Sequence, residues 1–420
     1  MTAAAEPIDV VVIGGGQAGL ATSHELARAG IEHVVLERDR IGSSWTGLWE
    51  SFHLNTPNWG LRLPGMAYDG DDPDGFMPQA EIVAYLDRYA AAVGSEVRTG
   101  VEVTSLEPAE GGFLLETTLG PIEARSVVTC TGAYQRAFRP RGAEGLPEDV
   151  AALDTRTYRS PESLPDGAVL VVGNGQSGCQ IAEELCEAGR EVIISCGKAS
   201  WAPRRAGGHD LLWWGLETGF LDGGVEALPS PAARLAANVT ASGTRGGHDL
   251  HVRTLREQGA RLAGHFTGCD GGRVRFAHDL AESVAWSDER YLDYARSVSE
   301  LCAERNMVDP ALPAPEPFDA AGAVDSLDVA DLGVVIFSGG FRPDYGWIRI
   351  AGVCDEMGFP RQHDGASVVA PGLFFVGVHF LRKRKSSLLC GVGEDASVVA
   401  DGVARHLVGS TGSDDRGPMT

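Results

Sequence analysis

Lysine is almost missing from this chain of 420 residues: the 35 basic residues include only Lys198, Lys383 and Lys385, so arginine carries the positive charge. The 58 acidic residues leave a formal net charge of −23, which argues against nucleic acid or an anionic membrane as a general partner. No stretch approaches the roughly 18 consecutive apolar residues that a membrane-spanning helix needs. Met1–Pro7 has neither the charged nor the apolar region of a signal peptide, and the expected location is the cytoplasm. The eight cysteines (Cys130, Cys179, Cys186, Cys196, Cys269, Cys302, Cys354 and Cys390) include no C-x-x-C pair and no metal-ligand spacing. They read as reduced and mainly buried, with no thiol–disulfide motif and no metal site.

Glycine, by contrast, is plentiful at 55 residues, and the chain is organised around one glycine-rich stretch, Asp9–Gly19. Val10 to Ile13 is a short β-branched apolar run, the signature of a buried parallel strand. Gly14, Gly16 and Gly19 follow in a G-x-G-x-x-G pattern and open a helix with Leu20, Ala21, Leu26 and Ala27 on one stripe. A second strand, His33–Leu36, ends in Glu37. In such a unit Gly14 makes the tight turn, Gly16 admits a pyrophosphate and Gly19 lets helix and strand pack closely. The phosphates sit on the helix N-terminus, and Glu37 accepts hydrogen bonds from a ribose 2′-OH.

The pattern recurs. Ala168–Val172 reads as a strand, Gly173-Asn-Gly175-Gln-Ser-Gly178 as the turn, Cys179–Ala188 as the helix and Glu191–Ser195 as the next strand. Here the second strand runs into Cys196-Gly-Lys198 without a carboxylate, and Arg204 and Arg205 lie downstream. A missing acid with nearby bases suits a 2′-phosphate, hence NADP rather than NAD. The competing reading pairs both arginines with surface acids.

Between the two units, Arg38–Trp59 is a long loop that mixes polar groups with Trp45, Trp49 and Trp59; long loops in compact domains are often functional. Gln79–Val93 has helical periodicity, and Glu96–Thr104, Phe113–Thr118 and Ile122–Thr131 suggest a small β-meander. Beyond Arg205 the pattern weakens. Trp213-Trp214 suggests an apolar contact surface, His251–Gln258 and Leu280–Asn306 suggest helices, and Arg261–Phe266 and Arg273–Phe276 suggest strands. His248, His251 and His265 have no ligand spacing and read as structural. Leu332–Phe337 and Gly372–Val376 are further buried strands; the turn after the former echoes Thr129–Tyr134, and a final helix is expected near Gly393–Leu407. The expected fold is α/β, two Rossmann-like dinucleotide-binding domains with a β-meander. The expected boundaries are 1–145 and 331–408 for the first domain, 146–330 for the second with a substrate-region insertion, and 409–420 as a disordered tail.

Arg38 with Gly42 and Trp45, Leu54-Asn55-Thr56-Pro57, Val171–Gly178 and Leu381–Ala396 together resemble the flavin-containing monooxygenases, including YUCCA-type enzymes and bacterial flavoproteins with a G-Q-S-G-C-Q-I-A-E-E-L run like Gly175–Leu185. The resemblance implies FAD on the first unit and NADPH on the second. It implies FAD contacts at Gly14, Gly16, Gln17, Gly19, Glu37 and Arg38, and further ones at Ser44, Trp45, Thr56, Val103, Thr131, Gly132 and Leu389. For NADPH it implies Gly175, Gln176, Ser177, Gly178 and Ser195, with Lys198, Arg204 and Arg205. Asn55 becomes the candidate catalytic residue, beside the flavin, unless it forms only a turn before Pro57.

The implied activity is NADPH-consuming monooxygenation of a small molecule with O2 through a flavin C4a-(hydro)peroxide, heteroatom oxidation at nitrogen being the first choice. Baeyer–Villiger insertion, oxidative decarboxylation, a reductase and a substrate-free redox sensor stay open as alternatives, as does a homodimer. Such chemistry must be kept dry, a task open to Trp45, Trp49 and Trp59. One departure bears on the reaction type: Asp154, in Asp154-Thr-Arg-Thr-Tyr158, stands where the family's H-S-x-x-Y pattern has histidine, and no His lies between His53 and His209. Arg382-Lys-Arg-Lys385 is the strongest basic cluster, either a solvated run or a site for an anionic substrate or an NADPH phosphate.

Overall fold

The computed structural model describes residues 8–236 and 238–411. Two parallel sheets dominate it. In the first, the opening strand Ile8–Ile13 lies between His33–Glu37 and Ile122–Thr129, and Val97–Thr99 and Leu373–Phe375 extend the two sides, all in parallel. An antiparallel ribbon, Val103–Ala109 with Gly112–Thr117, attaches to Ile122–Thr129. In the second sheet the order is Ala151–Asp154, Leu332–Phe337, Ala168–Val172, Val192–Ser195 and Arg261–Ala263, again all parallel. Val10, Val11 and Val12, and Val169 to Val171, are fully buried. Continuous apolar runs of this kind are what sheets covered on both faces require.

The helices Gln17–Arg28, Gln79–Val93 and Val392–Thr411 cover one face of the first sheet, with Leu20, Leu26, Leu86 and Val399 at 0% exposure in one core cluster. Gln176–Glu187 supplies Ile181, Ala182 and Leu185 to the second core. The long helix Leu280–Arg305 stops where Asn306 adopts a left-handed conformation, φ 53°, a conformation asparagine tolerates at a helix end.

Four expectations need correction. Glu96–Thr104 is not one strand: Val97–Thr99 belongs to the parallel sheet and the meander begins at Val103. Arg261–Phe266 likewise splits, Arg261–Ala263 joining the second sheet and Phe266–Asp270 pairing with Arg273–Phe276. The boundary at 331 is displaced, because Leu332–Phe337 lies inside the second sheet, between Ala151–Asp154 and Ala168–Val172; the chain returns to the first sheet only after Phe337. The last helix runs to Thr411, past the expected start of a disordered tail, while Met1–Pro7 and 412–420 lie outside the described residues. Among the described residues no helix is long and apolar enough to cross a membrane, and no His, Cys, Asp and Glu group could hold a metal ion.

Trp49 is 2% exposed and packs with Tyr158, Leu164 and Leu185 in the second unit's core, although it belongs to the first unit's loop. Arg159 donates to the carbonyls of Gly47 (2.8 Å) and Leu48 (3.1 Å) beside it. The loop therefore fastens the two units together.

His251 caps the helix Val252–Glu257, its Nδ1 accepting from the Arg253 N–H at 3.2 Å. Burial, then the Arg253 charge, push its pKa down to about 4. A folded pKa below the unfolded value stabilises fully above about pH 6.5, and that contribution is lost as the pH falls toward the folded value. His251→Asn keeps a capping acceptor that does not titrate. Its urea midpoint is expected to fall less than wild type between about pH 7 and about pH 5; equal losses would show that His251 does not couple folding to pH.

Candidate functional site

The two glycine turns are built alike. Gly14 and Gly173 both have φ 111°, a left-handed value. A Cβ on Gly14 would sit 2.5 Å from the Cys130 carbonyl oxygen, and one on Gly173 would sit 2.7 Å from that of Ser338. Cys130 and Ser338 follow the third strand of each turn's neighbourhood, Ile122–Thr129 and Leu332–Phe337, which explains the echo between the two segments. A Cβ on Gly19 would lie 1.8 Å from the Gly14 oxygen, and one on Gly178 would lie 1.9 Å from the Gly173 oxygen. Gly16, however, would meet nothing within 4 Å. No side chain caps either helix at Gly16 or Gly175. Helix N-termini without a side-chain cap suit a pyrophosphate, and at Gly16 there is room for one. Beside the second turn, the buried Ser338 hydroxyl has no partner, another polar atom suited to a ligand.

The units differ one residue past the last pair that the first and second strands share. Ile13 pairs with Leu36 and Val172 with Ser195, so Glu37 and Cys196 occupy equivalent positions. Glu37 is 6% exposed, and its carboxylate accepts from the N–H groups of Gly15 (2.6 Å) and Asp39 (2.9 Å) and from Ser43 Oγ (3.3 Å). In the second unit the bond is reversed: Asn174 Oδ1 accepts from the Gly197 N–H at 2.7 Å. Burial, foremost, pushes the Cys196 thiol well above its ordinary pKa. Ser195 spends its hydroxyl on the Gly264 carbonyl at 2.9 Å. Lys198 and Arg205 are exposed beyond it.

Arg204, expected with them at a 2′-phosphate, is elsewhere. It is 2% exposed, donates through Nε (2.8 Å) and Nη2 to both oxygens of Asp210, and lies 4.7 Å over the Phe76 ring. Its remaining Nη1 donates to the Asn55 carbonyl at 2.9 Å. The Asn55 side chain accepts from Gln180 Nε2 at 3.3 Å. Asn55 is thus half-buried where the first unit's loop meets the second unit's first helix. Gln176, instead of being free for a ligand, makes two bonds to the Ala241 backbone, at 2.5 and 3.2 Å. Ser177 and Thr56 are half-buried.

Around the first turn, Trp45 Nε1 donates to Gln17 Oε1 at 3.2 Å, and Gln79 holds the Trp45 carbonyl at 2.6 Å. Of the three tryptophans only Trp45 stands at the turn; Trp49 fills the second core, and Trp59 carries Arg62 over its ring at 5.3 Å. Arg38 and Ser44 are exposed. Val101, not Val103, bonds beside Glu37, its N–H reaching the Glu37 carbonyl at 3.0 Å; Val103 starts the meander and pairs with Thr117. The Thr131 backbone nitrogen lies 3.5 Å from where a Cβ on Gly14 would sit, with Gln135 donating to Thr131 Oγ1 at 2.6 Å; Gly132 next to it has a positive φ of 82°. Leu389 is buried in the first core.

The basic run is neither solvated nor available. Lys383 and Lys385 both bridge Asp222 (2.6 and 3.1 Å) and Glu394 (3.0 and 2.6 Å), and Arg382 pairs with Asp364 and the buried Asp395. Arg384 packs on Phe220 and Phe380. Nearby, His379 bonds Ser387 Oγ at 3.0 Å and meets the Tyr134 ring edge-on, while burial pushes its pKa down to about 4 and keeps it neutral. Asp210, Gln180, Asn174 and His379 had no sequence signal of their own, because none lies in a motif and each acts through a partner that its own neighbourhood does not name. Burial, as the main cause, raises the thiols of Cys130 and Cys179 to about 12, so the cysteines beside the turns are unreactive thiols.

A family model described as pyridine nucleotide-disulphide oxidoreductase matches residues 11–209. An uncharacterised CzcO-like oxidoreductase of Geobacillus kaustophilus is 30% identical over 95% of this chain and 99% of its own. Indole-3-pyruvate monooxygenase YUCCA1 of Oryza sativa is 32% identical over 43% of this chain and 45% of its own. The fold is shared with the flavin-containing monooxygenase from Stenotrophomonas maltophilia, with a TM-score of 0.67, 19% identity, and 95% of this chain and 99% of that one covered. Paired turns on two parallel sheets define the class, the two-dinucleotide flavoprotein oxidoreductases. Within it the chain belongs with the CzcO-like oxidoreductases, and over a shorter span it is similar to flavin-dependent monooxygenases.

Gly16 and Gly19 separate ligand space from packing space. Gly16→Ala is expected to leave the thermal midpoint near wild type and weaken flavin retention on a desalting column, since Gly16 is in an extended conformation any residue adopts. Gly19→Ala is expected to destabilise by about 1–3 kcal/mol from overpacking. Equal retention by Gly16→Ala and wild type would remove the phosphate from this turn.

Proposed function

We propose that the chain binds FAD at the turn of Gly14, Gly16 and Gly19, binds NADPH at the turn of Gly173, Gly175 and Gly178, and oxygenates a small molecule with O2, most readily at nitrogen. The observation that supports this best is the place of Asn55. It sits on a first-unit loop that bonds the helix opening at the second turn, and ligands of open α/β sheets bind beside such turns, at the carboxyl ends of the strands.

FAD reduced by NADPH would supply the electron pair that activates O2. The residues then divide the work. Glu37, already accepting three hydrogen bonds at the end of its strand, has lone pairs to offer the ribose of FAD. Cys196 brings no charge at the matching position, so nothing repels a 2′-phosphate, and the exposed Lys198 and Arg205 offer it positive charge. Trp45 closes the first turn against water. Asn55 presents an amide to the reacting groups. On this reading the first domain comprises residues 8–145 and 339–408, the second comprises 146–338, and the enzyme works in the cytoplasm.

Enzyme reconstituted with FAD and given NADPH, a panel of amines and sulfides and isotope-labelled O2 is expected to place one labelled oxygen in an amine product, read by mass spectrometry. O2 consumption that yields only peroxide with every compound would defeat the oxygenase assignment. In the same assay Lys198→Ala with Arg205→Ala is expected to raise KM for NADPH about tenfold, the worth of a lost charged hydrogen bond, without changing KM for NADH. A parallel rise for both would remove the 2′-phosphate from this surface.

A further inference from the structure

We infer that Arg204 and Gln180 are positioning residues that hold Asn55 from the second unit, so that the nucleotide-binding helix and the candidate catalytic amide form one connected body. The inference rests on the reading of Asn55 given above and adds how that residue is set.

Gln176, Gln180, Glu183 and Glu187 are spaced as i, i+4, i+7 and i+11 on the helix Gln176–Glu187, so they form a single stripe. Every member of the stripe reaches out of the helix. Gln176 bonds the Ala241 backbone, Gln180 bonds the Asn55 side chain, Glu183 accepts from His248 at 2.6 Å, and Glu187 pairs with Arg245. The segment from Ala241 to His248 is thereby clamped to the helix, and it bears on the loop that carries Asn55. A Cβ on Gly243 would stand 1.8 Å from the Leu54 carbonyl oxygen, and one on Gly247 would stand 2.6 Å from the Phe76 ring. Only glycine allows that approach.

Arg204 closes the arrangement from the other side. Its guanidinium is fixed by both oxygens of Asp210, by the face of Phe76 and by the Asn55 carbonyl, and its backbone N–H is held by Asp249 at 2.6 Å. Burying an arginine and an aspartate, 3% and 8% exposed at their side chains, is costly unless geometry and hydrogen bonds are satisfied. Here the planar fork meets the carboxylate with two donors and leaves a third for Asn55, a geometry lysine lacks. Asn55 is consequently gripped at its carbonyl and at its amide by two different segments of the second unit. A displacement of about 1 Å at a reacting group can cost up to about 100-fold in rate, so a double grip of this kind has a functional consequence.

The test uses the FAD-loaded full chain, with NADPH and O2 as the only probes, and compares Asn55→Ala, Gln180→Leu, Arg204→Lys and the double variants of each with Asn55→Ala. Gln180→Leu and Arg204→Lys are expected to speed peroxide release from NADPH and O2, in the direction of Asn55→Ala, with KM for NADPH unchanged. Adding either to Asn55→Ala is expected to give no further effect, the signature of residues acting through one another. Hydrogen exchange of the FAD-free chain provides a second readout: the amides of Leu54, Asn55, Thr56 and Asn58, the exchangeable ones in 54–58, are expected to lose protection about tenfold in Arg204→Lys, the worth of one charged hydrogen bond.

Additive effects on peroxide release, or unchanged protection at 54–58, would overturn the positioning role. Asn55→Ala behaving as wild type while protection still falls would instead overturn the catalytic reading and leave the clamp standing. If Arg204→Lys does not fold, Gln180→Leu, which disturbs no ion pair, decides.

Discussion

Everything in this molecule depends on two places where backbone must touch backbone. At each, a helix lies so close to the strand before it that a single Cβ would sit within about 2 Å of a carbonyl oxygen, a distance no side chain tolerates. Gly14 with Gly19, and Gly173 with Gly178, allow those contacts. The contacts set each helix against its sheet and leave its N-terminus without a side-chain cap, the arrangement a dinucleotide's phosphates require. The other glycine of the first motif, Gly16, does the opposite job of leaving room.

Once the turns are fixed, what distinguishes the two units is electrostatic and local. Glu37 is stabilised by three donors at the end of its strand; its counterpart Cys196 is an uncharged thiol, and Asn174 takes over the bonding to the loop. One exchange of a carboxylate for a neutral group is enough to separate an unphosphorylated ribose from a phosphorylated one, because the carboxylate that accepts from a hydroxyl repels a phosphate. The acidic character of the rest of the surface has no part in this. Even the densest basic run is consumed internally, Lys383 and Lys385 sharing Asp222 and Glu394 so that a connecting strap from the second unit is tied to the start of the last helix.

The long loop after Glu37 ties the two units together. Trp49 is lost to the second core, Trp45 stays at the first turn, and Asn55 is set between them at the junction. Apolar burial and a buried ion pair therefore do different things along a single stretch of chain. The tryptophan contributes stability through its large apolar surface, while the Arg204–Asp210 pair contributes geometry at an energetic cost.

Local pattern alone was sufficient for the strands Val10–Ile13 and Ala168–Val172, the helix Gln79–Val93, both glycine turns and the acid at Glu37. In each of these, what decides the outcome lies within a few residues: β-branched runs, helical periodicity, a required positive φ. The tertiary structure alone decided that Leu332–Phe337 belongs to the second sheet, because a buried strand of that composition suits either core and only its neighbours choose. It alone decided that Arg204 faces Asp210 and Asn55 instead of a phosphate, since an arginine's sequence neighbourhood does not say which carboxylate will reach it first. Gln180 was illegible for a related reason: its partner Asn55 lies 125 residues away along the chain, and that contact exists only once the two units, packed on their glycines, stand side by side. Asp210 and His379 meet partners 6 and 8 residues away, but no local pattern says which side chain each will turn to.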